Sequence, residues 1–168
     1  SGTWYNYTNP YFEWAATSDL PSGVAFVDNA GMAEFKYSFT TNAGEVPTIA
    51  TSATSFTSTA TLTSGYSYYL RMAGYDNVYN FTSPASTTFI YKFDNTPPDN
   101  PTVSAYDTLL KAISLTDGAW YSYTNPYFEW AGATDLPAVP DNSGLYRYVL
   151  YLGTDPAGTP DYATTATA

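Results

Sequence analysis

Every second residue is aromatic in Phe35-Lys36-Tyr37-Ser38-Phe39, the period of a strand buried on one face. Tyr11-Phe12-Glu13-Trp14 repeats the pattern, with Phe12 and Trp14 on one side and Tyr11 and Glu13 on the other. In Tyr66 to Met72 the alternation turns Tyr68, Leu70 and Met72 inward, and in Thr87 to Phe93 it aligns Phe89, Tyr91 and Phe93. Clusters of Asn, Gly, Pro and Asp separate these runs, as turns between short antiparallel strands require. Long helical periodicity is absent, and Leu109 to Leu115, the one ambiguous stretch, reads as loop or strand. The pattern predicts an all-β chain.

A long internal repeat organises it. Trp4-Tyr5-Asn6-Tyr7-Thr8-Asn9-Pro10-Tyr11-Phe12-Glu13-Trp14-Ala15 returns as Trp120-Tyr121-Ser122-Tyr123-Thr124-Asn125-Pro126-Tyr127-Phe128-Glu129-Trp130-Ala131, an offset of 116 residues. Asp19-Leu20-Pro21 returns in the same register as Asp135-Leu136-Pro137. Such a period is too long for a solenoid and suits one β-sandwich with its connection. Phe12, Trp14, Tyr68, Leu70, Phe128 and Trp130 are the expected core residues, with Trp14 and Trp130 as anchors. Pro97, Pro98 and Pro101 fix φ along the junction and predict a stiff connection between the copies.

Three segments together resemble the bacterial Ig-like and fibronectin-type-III-like domains of large secreted surface proteins. They are Pro10-Tyr11-Phe12-Glu13-Trp14, the run Leu62…Gly65…Tyr68-Tyr69-Leu70-Arg71 with Tyr75-Asp76, and Tyr91-Lys92-Phe93-Asp94-Asn95-Thr96-Pro97-Pro98. The resemblance implies Ig-like β-sandwich repeats with a tyrosine corner at Leu62, Gly65 and Tyr68. It places an Ig-like sandwich lacking its opening strand at 1–96, a Pro-rich junction at 97–101, and the first half of a second sandwich at 102–168. One turn departs from the pattern: Asp76-Asn77-Val78-Tyr79-Asn80 carries Tyr79 where a glycine is expected for a positive φ.

Composition narrows the partners. There are 5 Lys+Arg against 15 Asp+Glu, a formal charge of −10, and no basic stripe to meet nucleic-acid phosphates. His and Cys are absent, which removes the commonest general base, thiolate nucleophiles, disulfides and the usual zinc ligands. With 18% aromatic residues the chain is built to fold. No apolar run approaches the roughly 20 residues that span a bilayer. The Cys-free, Lys-poor, Thr/Ser/Tyr-rich composition suits the outside of a prokaryotic cell. The chain opens on Ser1 without Met, so a processed product or a window on something longer is expected.

Candidate chemistry is sparse. Glu13 and Glu129 are one position in two copies, which marks them as fold-specifying rather than catalytic. No Ser-x-x-Lys pair and no Gly-rich phosphate loop occurs, so no enzyme is expected. Asp94 and Asp99 in the junction, with Asp76 and Asp19 from loops, offer hard oxygen ligands for calcium, and solvated acidic loops are the plainer reading. No other cofactor is expected. Asn6 and Asn80 stand in Asn-x-Thr sequons, acceptors for N-glycosylation in a competent host. Lys36 and Lys92 read as outward strand residues, which argues against an isopeptide cross-link. Tyr75, Tyr79 and Phe81 fall outside the inward faces and are the candidate ligand contacts, for a glycan.

These readings predict a structural protein of an extracellular fibre, stalk or surface layer; an adhesin or glycan-binding module is the alternative. The phase of the repeat adds an expectation about assembly. The first copy lacks an opening strand and the second lacks closing ones, which exposes core and unpaired backbone. Head-to-tail self-assembly answers this, by continuation as a tandem array or by strand donation, and the continuous array is preferred.

Overall fold

A computed structural model describes residues 2–16, 30–82, 85–137 and 142–165. Among these all regular structure is β: β1 (Trp4–Tyr5), β2 (Tyr11–Glu13), β3 (Met32–Thr40), β4 (Ile49–Thr51), β5 (Ser55–Thr57), β6 (Tyr66–Asp76), β7 (Ser86–Phe93), β8 (Thr102–Tyr106), β9 (Tyr127–Ala131), β10 (Arg147–Leu150) and β11 (Tyr162–Thr165). Leu109 to Leu115 forms a turn and a single bridge from Ser114 to Tyr106. The chain divides into two compact units between Asn95 and Thr96.

In the first unit a five-stranded sheet runs in the order β1-β7-β6-β3-β4, and β2 pairs with β5 in a second sheet. All pairings are antiparallel except β1 with β7, where Trp4 lies opposite Lys92 and Tyr5 opposite Phe93. The sheets meet through aromatic rings. Phe12 lies 5.2 Å from Phe39, 5.6 Å from Phe89 and 6.2 Å from both Phe56 and Tyr91, centroid to centroid. Phe12, Tyr68, Leu70, Met72, Tyr91 and Phe93 are the buried core, and Phe35, Tyr37 and Phe39 pack against it. The period-two faces read from sequence are therefore the faces that pack.

Tyr68 also closes the turn that leads into its own strand. Its hydroxyl accepts the Thr63 N–H at 2.7 Å, Leu62 packs on the core, and Gly65 takes φ +81°. A side chain at Gly65 would be strained, because only glycine enters this region without a Cβ penalty.

In the second unit β8 pairs with β9 and β10 with β11, both antiparallel. Within residues 97–101, Asp99 is bonded to the second unit. Asp99 donates its N–H to the Thr134 carbonyl at 3.0 Å and accepts the Thr134 N–H on its carboxylate, which ties this segment into the second unit.

Candidate functional site

The two units carry corresponding elements. Trp14 meets Phe35 edge-on at 6.1 Å, and Trp130 meets Tyr148 edge-on at 6.3 Å. Gly31 and Gly144, each four residues before that second ring, both adopt positive φ, +73° and +80°. β9 thus matches β2, and the β10–β11 pair matches β3–β4, with the intervening loop three residues shorter in the second copy.

Backbone bonds show which edges are covered. Trp14 N–H donates to Thr54 and Ser58 N–H donates to Pro10. Pro10, Phe12 and Trp14 therefore direct their backbone groups toward β5, and Tyr11 and Glu13 direct theirs to the opposite edge. In the second unit Leu115 N–H donates to Ala105 and Asp107 N–H to Ile113, so Ala105 and Asp107 turn away from β9. Ser104 and Tyr106 then bond β9 at Glu129 and Tyr127, their direct partners. Phe128 and Trp130 point their backbone groups to the other edge, where β5 lies in the first unit. β8 occupies the edge that β2 leaves open.

Among the described residues the second unit has no counterpart of β5, β6 or β7, and exposure follows. Phe12 is 9% exposed and its equivalent Phe128 is 36%. Among the described residues no strand lies over Phe128 as β6 and β7 lie over Phe12, and it is not enclosed in the way the sequence pattern led one to expect. Trp130 and Trp14 are both half-buried rather than fully enclosed. Trp14 packs at the rim of the core, and its Nε1–H is buried with no hydrogen-bond partner. Trp4, half-buried beside β7, corresponds to Trp120, which is fully exposed at 100%. The result is an open groove of about 510 Å³ lined by Val103, Phe128, Trp130, Tyr148, Leu150 and Leu152. A second, of about 840 Å³, is lined by Trp120, Tyr121, Tyr123 and Phe128.

The β6–β7 connection brings two of the three aromatic candidates together. Tyr75 and Phe81 stack at 5.1 Å with 16° between planes, and the Lys36 ammonium lies 4.3 Å from the Tyr75 ring centre. Tyr79 stands 79% exposed at φ +67°, the left-handed region that its place in the turn called for. Asp76 holds this turn by accepting Val78 N–H at 2.9 Å, Asn80 N–H at 2.8 Å and the Asn80 amide at 2.7 Å. Burial raises the Asp76 pKa, but the bonds from the Asn80 side chain and from the Asn80 and Val78 backbones outweigh it and hold the carboxyl below its ordinary value.

The other acidic candidates serve their own turns. Asp94 accepts the Ser64 hydroxyl at 2.8 Å, Asp99 is bound to Thr134, and Asp19 lies outside the described residues. No group of three metal-ligating side chains occurs among the described residues. Asn6 and Asn80 are both exposed, with the Asn80 amide engaged by Asp76. Sequence reasoning passed over Asp135, which is buried and accepts Ser143 Oγ–H at 3.0 Å and Gly144 N–H. Its signal was the repeated Asp-Leu-Pro, where only the first copy was weighed as a ligand.

Glu129 pairs with Lys111; the hydrogen bond between them lowers the Glu129 pKa and raises that of Lys111. Glu13 accepts the Tyr11 hydroxyl at 3.3 Å. Lys36 and Lys92 lie over the rings of Tyr75 and Trp4, in cation–π contact. No helix among the described residues is long and apolar enough to cross a membrane. In comparisons with known proteins, no family model, curated protein or solved structure matches the chain.

Proposed function

We propose that this chain is a structural segment of an extracellular fibre, stalk or surface layer, built of tandem Ig-like, fibronectin-type-III-like β-sandwiches on a prokaryotic cell. The observation that carries the reading is the recurrence of a unit with its geometry, in the Trp14–Phe35 and Trp130–Tyr148 pairs. The Tyr68 corner and the two facing sheets of the first unit support the sandwich assignment. Function lies in shape and repetition, and the reading assigns no catalytic residue. Units follow one another head to tail in a continuous array, a heterologous arrangement that extends without closing. The test is the mass of the native chain under denaturing conditions, with electron microscopy of the native material. A chain far longer than 168 residues forming thin rods is expected. A monodisperse, folded monomer of 168 residues would overturn it.

A second reading, an adhesin that binds a glycan, is favoured by one observation: the exposed Tyr79 at positive φ in the turn that follows Tyr75 and precedes Phe81, whose rings stack. Such backbone strain concentrates at functional loops. Glycan-array binding abolished by Tyr79→Ala with Phe81→Ala would select this reading; no binding would reject it.

A further inference from the structure

We infer that the open face of the second unit is a receptor for one antiparallel strand pair with the residue pattern of β6 and β7, taken up in a register that the first unit already displays. This sharpens the array reading by naming the acceptor, its occupant and the contacts between them.

The first unit is the template. There β6 lies against β3 with Tyr37 opposite Met72 and Phe39 opposite Leu70. Aligning Tyr148 with Phe35 through their tryptophan partners places Leu150 at Tyr37 and Leu152 at Phe39. The incoming first strand thus sets a Met72-type residue opposite Leu150 and a Leu70-type residue opposite Leu152. Leu152 is now 76% exposed, and β10 has β11 along its other edge.

The second strand of the occupant accounts for the other groove. In the first unit β7 runs parallel to β1, Tyr91 stacks on Tyr5 at 5.2 Å, and the Tyr91 hydroxyl donates to the Tyr7 carbonyl at 2.5 Å. Tyr121 and Tyr123 are the equivalents of Tyr5 and Tyr7. With no Tyr91 between strand and carbonyl they stack on each other instead, at 6.0 Å, and Trp120 has no lysine lying over it. A β7-type strand brings a tyrosine to Tyr121, a hydroxyl to the Tyr123 carbonyl and a lysine to Trp120. One strand pair therefore covers both grooves, and no separate ligand is needed for either. Its alternation also suits the task, since apolar residues every second position meet the groove and polar ones meet water.

The experiment extends the full chain at its C-terminus with a second copy of residues 56–95, the continuation in register, and follows backbone hydrogen exchange by mass spectrometry. Exchange in segments 119–131 and 146–152 is expected to slow by about tenfold or more. The same extension with Leu70→Asp and Tyr91→Asp in the appended copy leaves those rates as they are in the unextended chain. As a second measurement, residues 56–95 supplied as a separate peptide slow the same segments of the 168-residue chain. Unchanged exchange with both extension and peptide overturns the inference, as does equal slowing by the charged control. Self-association of the unextended chain that already protects these segments would overturn it too, by showing a second copy as the occupant. Native chain mass tests the array and exchange tests the receptor face, so either can fail without the other.

Discussion

Phe12 and Phe128 are the same residue in the same octapeptide, yet the first sits amid four rings and is buried while the second is 36% exposed. Phe12→Ala should cost about 3–5 kcal/mol in denaturant unfolding of the first unit, since it removes a ring from a packed aromatic cluster. Phe128→Ala should cost roughly 1 kcal/mol or less, the usual scale for an exposed site. Equal losses would contradict the difference in packing. Tyr79 offers a change of opposite sign. A bulky residue in the left-handed region is disfavoured by roughly 1–2 kcal/mol, so Tyr79→Gly should raise stability by up to about 1 kcal/mol after the added chain entropy of glycine. A lower melting temperature for that variant would show that the Tyr79 ring makes contacts which outweigh the backbone strain.

At the scale of elements, turns held by single side chains decide how strands connect. The Asp76 carboxylate takes three N–H groups in the turn from β6 toward β7 and is ionised more readily folded than unfolded. Its contribution is complete above the unfolded-state pKa of about 3.9 and fades as pH falls through the lower folded value. Acid unfolding of Asp76→Asn should therefore show a shallower loss of stability below about pH 4 than the parent chain. An identical acid limb would mean that the turn does not depend on the charge. The corner at Tyr68 gives a second test. Tyr68→Phe keeps the ring and removes the acceptor for Thr63 N–H, at a cost of about 0.5–1.5 kcal/mol in thermal or denaturant melts.

For the whole molecule, the acidic side chains bear on whether an ion is part of the architecture. Asp76, Asp94, Asp99 and Asp135 are each engaged by hydroxyl, amide or backbone donors of their own unit. A chelator should leave the melting temperature unchanged, and millimolar calcium should raise it by no more than a degree or so, the response expected without a site. A calcium-dependent rise of several degrees would place an ion in the structure. Repetition, not a bound cofactor, is then what the proposed array relies on for its form.

The alternation of apolar and polar residues determined the strands by itself, because a pleated chain sends successive side chains to opposite faces. The inward sets Tyr68-Leu70-Met72 and Phe35-Tyr37-Phe39 were legible for that reason. The positive φ at Tyr79 was not: the resemblance implied a glycine at that place in the turn, and only the folded backbone shows that a tyrosine takes the conformation. Identity between copies also announced a shared local geometry, and the two tryptophan–aromatic pairs share it. Burial was not legible in the same way. Phe128 carries the signature of Phe12, but whether a ring is enclosed depends on strands distant in sequence that pack over it. Asp135 and Asp76 were equally opaque as turn anchors, since only the folded chain brings N–H donors to a carboxylate. Pattern sets which face of a strand is apolar; the presence of a second layer over that face, a long-range contact, decides whether it becomes core.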